Sequence, residues 1–317
     1  MIGPWEGAPE TPAGFWYLSW TLLGLIVGSF LNAAIWRLPR EGVTMTDPKR
    51  SACTSCGATL TWRENLPVLS WVLQRGRCRS CGTGISWRYP AVELLTAGLF
   101  VLTAWLTGPE PSALLAVRWL VLAGLVVATF VDFEFFEIPD QVSIGGMWLA
   151  PLLAFLVPAL HDETALARHL TDPEVLAAGG VDRVASLVAA FAGMAVGGGV
   201  LIGISWLGKL LYRRDAMGFG DVKLLAAAGG FVGPGGALVA LLLASVAASA
   251  AGLANFVRFL WILRGRARRR GNGRTFGQSL ASARIAARYL PFGPYLGLGI
   301  GCVLLAWKNV VERLLPF

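Results

Sequence analysis

Long apolar runs separated by polar connections dominate the pattern of this chain. About eight of them are candidates for helices that cross a hydrocarbon layer, which takes about 20 residues. Polar residues do not recur at every second position in these runs, as they would in membrane β-strands. The pattern therefore predicts an all-α polytopic membrane protein. The predicted spans, of which the sixth is the shortest, are approximately 15–36, 91–106, 113–131, 142–160, 184–207, 222–232, 237–263 and 290–307.

Composition supports this interpretation. Of the 317 residues, 55% are hydrophobic and only 15% are charged, and a soluble surface needs about 25% charged residues. The first run is long, follows acidic rather than basic residues and lacks a convincing small-residue cleavage site. We therefore interpret it as a membrane helix and not as a secretory signal.

The distribution of the net charge of +8 predicts an orientation. The connection between the first two runs holds nine Lys or Arg against three acids, the one after the seventh run is rich in arginine, and the one after the fourth run is acidic. Basic loops stay in the cytoplasm, so both termini should be external. Because the arginines flank membrane helices, topology and anionic lipid account for them, and we expect no nucleic-acid partner.

Four of the five cysteines form two CxxC pairs in the first basic connection, "CTSC" at Cys53 and Cys56 and "CRSC" at Cys78 and Cys81. Two such pairs can supply four thiolates to one tetrahedral zinc ion, as in zinc ribbons. Disulfides are disfavoured in a reducing cytoplasm. Four protein ligands leave no open position, so this zinc would fold the loop rather than catalyse.

The predicted organisation has three parts. An external N-terminus and the first helix occupy 1–36, a small cytoplasmic zinc-ribbon-like loop domain occupies 37–90, and the remaining helices occupy 91–317.

Carboxylates at the edges of membrane helices are costly and need a reason. Asp132 follows the third run, and Asp221 begins the sixth, so the predicted topology puts both at the cytoplasmic face. Two adjacent carboxylates share one proton and can activate water against a peptide carbonyl. Alternatively, Asp221 only caps a helix and Asp132 pairs with an arginine, and the spacing alone leaves both readings open.

Other polar positions have weaker interpretations. Gly218 and Gly220 allow a close approach by another chain, such as an extended substrate. Asp140 follows Pro139 and is expected to cap a helix. Lys223 either tunes the acid or extends to the lipid headgroups. Two further side chains are candidates: Glu93, which pairs with Arg88 or faces the active cavity, and Asn32, which bonds across helices, lines a polar cavity or packs with Gly28.

Several segments, in order over residues 24 to 300, resemble the bacterial type IV prepilin peptidases, which are membrane aspartic proteases. They are "GSFLNAAIWRLP", "CTSC", "LTWRENLPVLSWVLQRGRCRSC", "WRYPAVELLTA", "VDFEFFEIPD", "GFGDVKLLAAAG" and "PFGPYL". In that family the first aspartate of the segment ending in Pro-Asp and the aspartate of Gly-x-Gly-Asp are catalytic. The resemblance assigns these roles to Asp132 and Asp221.

The resemblance also implies substrates, partners and a cofactor. The expected substrates are prepilins or pseudopilins with a basic cytoplasmic leader and an apolar helix, processed for type IV pili or type II secretion in the inner membrane. Many members then methylate the new N-terminus with S-adenosylmethionine. That activity rests on the resemblance alone, because the sequence contains no strand, glycine-rich turn and helix unit for a nucleotide.

Two functions of other classes remain as alternatives. A transporter would use the same aspartates as proton or cation relays, but it should show internal repeats, and none is evident. A non-catalytic scaffold would dock secretion partners through the cysteine loop.

Overall fold

The computed structural model describes residues 12–46, 50–213, 218–269 and 291–314. Within these ranges the regular elements are helical, apart from two isolated β-bridges in the cysteine loop. The α-helices are α1 Ala13–Arg37, α2 Leu69–Leu73, α3 Arg88–Thr107, α4 Ala113–Phe135, α5 Asp140–Leu156, α6 Ala165–Leu170, α7 Pro173–Ala177, α8 Arg183–Tyr212, α9 Phe219–Arg269 and α10 Gly293–Leu314. Short 3-10 helices occupy Trp62–Asn65 and Pro158–His161.

Five helices in the described ranges are long and apolar enough to cross a membrane, namely α1, α3, α4, α8 and α9. The apolar parts of α5 and α10 are shorter. The all-α, multi-pass character predicted from the sequence is therefore confirmed, while the number of eight crossings stays a prediction.

The predicted sixth and seventh runs join in α9, which is interrupted rather than ended between them. Gly233 has a φ of 73°, outside the helical region, and Pro234 follows it. Proline removes a helical hydrogen bond, and glycine accepts the positive φ, so the pair bends the helix here. The predicted fourth run extended to residue 160, whereas α5 ends at Leu156 because Pro158 starts a separate 3-10 turn.

The chain forms two compact units, 1–127 and 128–317, with the division inside α4. This division differs from the boundaries predicted at residues 36 and 90. The three-part organisation that those boundaries define stays a prediction. The first unit is built on contact between α1 and α3. Gly24 and Gly28 make this contact possible, because a Cβ at either would lie 2.5–2.6 Å from a backbone atom of Ala97 or Glu93.

The second unit is organised around α9, which packs on α5, α8 and α10. The crossing of α8 and α9 is a contact of two backbones, because a Cβ at Gly193 would collide with the backbone of Gly229. Small residues allow membrane helices to approach in this way. The acidic connection predicted after the fourth run is partly helical, and Ala167 in α6 packs with Ala185 and Ala189 of α8.

Candidate functional sites

Asp132 lies in the last turn of α4, where the helix is about to end. Phe136 has a φ of 58°, which terminates the helix, and its amide donates to the Asp132 carbonyl at 3.0 Å. The Asp132 side chain is only 6% exposed. A buried carboxylate therefore stands at the end of an apolar helix, as the sequence predicted.

Asp221 lies in the first turn of α9, in agreement with the predicted helix start. Its neighbour Gly220 contacts Ile138, since a Cβ on this glycine would lie 3.2 Å from the Ile138 Cβ. Ile138 belongs to the turn between α4 and α5. The glycine thus admits another part of the same chain, and the close approach of a substrate at Gly218 and Gly220 stays a prediction.

The two carboxylates belong to one unit and act on each other. Asp132 lies close enough to Asp221 for its charge to affect that group. Because two like charges in a buried place repel each other strongly, such a pair holds one proton between its members. This is the arrangement that aspartic proteases use to activate water.

A backbone group that the sequence did not reveal holds Asp132. The amide of Gly293, the first residue of α10, donates to Asp132 Oδ2 at 3.0 Å. A Cβ at this position would lie 2.6 Å from the same oxygen, so no other residue fits without movement. The only sequence signal was the glycine between two prolines in "PFGPYL", which marks a helix start but not its partner.

Asp140 and Lys223 form an ion pair, with 2.6 Å between Lys223 Nζ and Asp140 Oδ1. The predicted cap at Asp140 is wrong: Pro139 occupies the cap position, and Asp140 is the first residue of α5, without a capping hydrogen bond. Its carboxylate instead joins the start of α5 to the start of α9. Lys223 is two residues from Asp221 and thus links the candidate catalytic turn to α5.

Glu93 and Asn32 both make hydrogen bonds within the first unit. Glu93 Oε2 accepts from the Val68 amide at 2.7 Å, and this bond ties the cysteine loop to α3. Asn32 Nδ2 donates to the Tyr89 carbonyl at 2.9 Å. Of the alternatives for Asn32, the structure shows the hydrogen bond across helices, although packing with Gly28 and Ser29 was the favoured one. A role for Glu93 in an active cavity stays a prediction.

The four cysteines of the loop meet at one point. The sulfur atoms of Cys53, Cys56, Cys78 and Cys81 all lie within 4.8 Å of one another, and those of Cys53 and Cys81 are 3.9 Å apart. A tetrahedral zinc ion with Zn–S bonds of about 2.3 Å needs sulfur separations of about 3.8 Å. The geometry therefore fits the metal that the spacing predicted.

The two halves of this cluster repeat one turn. In each, the glycine after the second cysteine has a positive φ, 71° at Gly57 and 73° at Gly82, and its amide donates to the carbonyl of the first cysteine at 2.9 Å. Hydrogen bonds with Thr83 lower the pKa of the Cys81 thiol to about 6. A thiolate at neutral pH is the form that binds metal.

Comparisons with known proteins agree with the sites. Residues 22–107 match the model of the bacterial Peptidase A24 N-terminal domain, and residues 174–253 match that of the type IV leader peptidase family. The prepilin leader peptidase/N-methyltransferase of Aeromonas hydrophila is 33% identical over 315 residues, covering 92% of this chain and 91% of that protein.

Two further relatives extend the agreement. The prepilin leader peptidase/N-methyltransferase of Pseudomonas putida is 32% identical over an alignment of 332 positions, gaps included, which covers 97% of this chain and 96% of that protein. The type 4 prepilin-like proteins leader peptide-processing enzyme of Escherichia coli is 32% identical over 231 residues, covering 68% of this chain and 76% of that protein. No solved structure matches the chain. Because the similarity to the Aeromonas and Pseudomonas proteins extends over nearly its whole length, the chain belongs to the type IV leader peptidase family.

Proposed function

We propose that this chain is a bifunctional membrane enzyme that cleaves the basic leader from type IV prepilins or pseudopilins and then methylates the new N-terminus. Membership of a family with relatives named prepilin leader peptidase/N-methyltransferase supports both activities. The observation that carries the peptidase assignment is that Asp132 and Asp221, which lie 89 positions apart in the sequence, are close enough in the fold for their charges to interact.

In the proposed reaction the aspartates share one proton, so that one acts as the general base and the other as the general acid. The ionised carboxylate takes a proton from water, whose oxygen adds to the scissile carbonyl carbon, while the protonated carboxyl donates to the carbonyl oxygen. The resulting diol then collapses: one hydroxyl group returns its proton to the pair as the C=O bond re-forms, the C–N bond breaks, and the leaving amine receives a proton from the pair. The two carboxyl groups finish with the same total of one proton.

The Gly293 amide supports a more specific assignment within this pair. An N–H group can only donate, so Asp132 Oδ2 serves as an acceptor and is a poor place for the shared proton. The proton then lies on Asp221 or on Oδ1 of Asp132. Gly293 thus acts as a positioning residue, which leaves one defined carboxylate oxygen to face the water.

The cysteine cluster is proposed to hold one structural zinc ion. Four thiolates would complete its coordination, which fixes the fold of the loop and leaves no position for substrate. The methyl donor is proposed to be S-adenosylmethionine, as the family resemblance implies, without an assignment of its contacting residues.

The proposed setting is the inner membrane, with the aspartates at the cytoplasmic face and both termini external. The basic connections favour this orientation. A pilin's basic leader would then be cut at the membrane edge while its apolar helix stays in the bilayer, and the processed product would pass to a type IV pilus or type II secretion machinery.

Replacement of either aspartate tests the peptidase assignment. Membranes containing Asp132→Asn or Asp221→Asn are incubated with a prepilin, and the cleavage rate is expected to fall by at least about 10³-fold, because neither amide can carry the shared proton. Glu137→Gln is a matched control, since Glu137 is an exposed acid in the turn after α4. Normal cleavage by either aspartate variant would refute the pair.

Methylation is tested separately by mass spectrometry of the cleaved product. With S-adenosylmethionine present, the new N-terminal residue is expected to gain the mass of one methyl group. A product that stays unmethylated while cleavage is complete would remove the methyltransferase half of the proposal and leave the peptidase half intact.

A further inference from the structure

We propose that helix α2 and the segment before it, residues 62–73, form an interfacial membrane anchor within the cysteine loop. In this arrangement the exposed apolar side chains of α2 contact lipid acyl chains, and neighbouring arginines contact anionic headgroups. The proposal concerns how the loop is held at the bilayer and is independent of the reaction.

Helix α2 has an apolar stripe that none of the described residues of the first unit covers. Leu69, Val72 and Leu73 follow the i, i+3, i+4 spacing of one helix face. Their exposed fractions are 52%, 56% and 71%, which are high for the apolar side chains of a five-residue helix. An aqueous loop would have no reason to present three such side chains together.

The start of α2 is held beside a membrane helix. The Val68 amide, immediately before α2, donates to the carboxylate of Glu93 at 2.7 Å. Glu93 lies five positions inside α3, which begins at Arg88, and a helix rises about 1.5 Å per residue. The residue before α2 is therefore hydrogen-bonded to a side chain whose Cα lies about 7–8 Å along the axis of α3 from its first residue.

A cavity adjoins both the same segment and α1. Leu66 and Pro67 line a cavity of about 450 Å³ together with Ile26 and Phe30 of α1. Phe30 lies seven positions before Arg37, the last residue of α1, which corresponds to about 10 Å along the helix. Its side chain is 60% exposed in an apolar stretch, as expected for a residue in contact with lipid. The hydrogen bond and the shared cavity put residues 66–68 alongside the first turns of α3 and the last turns of α1.

The charges around α2 suit an anionic lipid surface. Arg63, Arg75, Arg77 and Arg79 are all exposed, and Glu64 is the one acid between residues 62 and 79. The Glu64 carboxylate is already bound by the amide and hydroxyl of Thr61. Arginines beside an apolar stripe are typical of segments that lie in the membrane interface.

Exposed tryptophans lie on either side of α2 in the sequence. Trp62, in the 3-10 turn before α2, is 70% exposed, and Trp87, directly before α3, is 74% exposed. Tryptophan is enriched where the headgroups meet the acyl chains. The alternative occupant of the stripe is the apolar helix of a substrate, but the basic leader attached to it would be repelled by the arginines that surround α2.

Photocrosslinking in a defined bilayer tests the proposal. The photoreactive residue p-benzoylphenylalanine replaces Leu73 in the full-length protein, which is placed in nanodiscs of phosphatidylcholine with or without phosphatidylglycerol. Trp105→p-benzoylphenylalanine is the positive reference, because Trp105 is 68% exposed on the spanning helix α3. Thr54→p-benzoylphenylalanine, in an exposed cysteine turn, is the negative reference.

Lipid adducts are then measured by mass spectrometry after illumination. The yield at position 73 is expected to be within about threefold of that at position 105 and at least tenfold above that at position 54, and to rise when phosphatidylglycerol is present. A yield at position 73 no higher than at position 54 would overturn the proposal, as would an adduct that forms only with an added prepilin. Equal yields in the two lipids would refute the role of the arginines.

Discussion

Asp132 is positioned by a backbone amide, and this determines what a mutation near it can do. On the Gly293 side this hydrogen bond uses only the backbone amide, so a substitution at residue 293 disturbs it only by moving the start of α10 or by forcing a side chain against the Asp132 carboxylate. Gly293 is therefore the residue where a small substitution should affect the reaction without removing a chemical group.

Gly293→Ala is expected to lower the cleavage rate by about a hundredfold, because its Cβ would displace the Asp132 carboxylate, and a shift of about 1 Å in a reacting group has an effect of this order. Steady-state kinetics should show the loss in kcat with KM little changed, since the Gly293 amide holds Asp132 and not the substrate. Gly145→Ala is the matched control, because its Cβ meets nothing within 4 Å. Equal activity of the two variants would show that Gly293 does not position Asp132.

His161 is a second residue whose surroundings have a measurable effect. Its side chain is fully buried, and Nδ1 lies 2.8 Å from Ser186 Oγ, which itself donates to the Ala154 carbonyl at 2.9 Å. Ser186 thus links the imidazole to the backbone near the end of α5. Burial lowers the pKa of His161 from its usual 6.5 to about 4.

The lowered pKa predicts an acid-sensitive fold. Between pH 6.5 and 4 the unfolded chain binds a proton at this residue and the folded chain does not. The free energy of unfolding should therefore be highest above pH 6.5 and fall by up to about 3 kcal/mol as the pH approaches 4.

Thermal unfolding of the purified protein in detergent at several pH values measures this effect. His161→Gln should flatten the decline below pH 6.5, whereas His169→Gln, at the chain's other and exposed histidine, should leave it unchanged. An identical pH dependence in wild type and His161→Gln would contradict the prediction.

At the scale of elements, the glycine-rich stretch of α8 separates into positions with and without a packing role. A Cβ at Gly193 would collide with the backbone of Gly229, and one at Gly197 would lie 2.5 Å from the Leu225 carbonyl oxygen. A Cβ at Gly199 would meet nothing within 4 Å. The crossing of α8 and α9 thus depends on particular glycines rather than on glycine content.

Gly193→Ala should destabilise the second unit by about 1–3 kcal/mol, because the added methyl group forces the two helices apart. Gly199→Ala should have no such effect, or stabilise slightly through its higher helix propensity. Both are measured as the midpoint of thermal unfolding in the same detergent. A similar midpoint for the two variants would be inconsistent with direct backbone contact at Gly193.

The helices were predictable from the sequence where long apolar runs determine them. Periodicity indicated the apolar helices, but it carries no information on backbone angles. It therefore missed that α9 continues past the bend at Gly233, and it extended the fourth run beyond Pro158. Asp140 was assigned as a cap from its place after Pro139, because its partner Lys223 is 83 positions away, and local sequence does not reveal such a contact.

At the scale of the whole molecule, the two candidate sites belong to different compact units. The cysteine cluster is in residues 1–127, and the aspartates with Gly293 are in residues 128–317. The cysteine spacing and the quoted motifs were enough to predict both sites. The Gly293 amide and the Val68–Glu93 bond were not predictable, because each joins segments that only folding brings together.

Loss of the metal should therefore have a local effect. Cys56→Ser is expected to reduce bound zinc from about one ion per chain to less than half, because three thiolates remain. Hydrogen exchange should rise in residues 51–85 and stay unchanged in residues 128–213. Cys302→Ser is the control, since this cysteine lies in α10 and is not one of the four clustered cysteines. Zinc content near zero in the wild type, or equal exchange in both variants, would contradict a structural metal.

The hydrogen bond from Gly293 also has a consequence for inhibitor design. Transition-state mimics of aspartic proteases place a hydroxyl between two carboxyl groups and gain affinity from each oxygen that they reach. In this enzyme Oδ2 of Asp132 already accepts a backbone amide, so the proposed pair offers its contacts from the Oδ1 side and from Asp221. A compound that hydrogen-bonds to both oxygens of Asp132 would have to displace the first turn of α10. A smaller compound directed at Asp221 should bind more tightly than that compound.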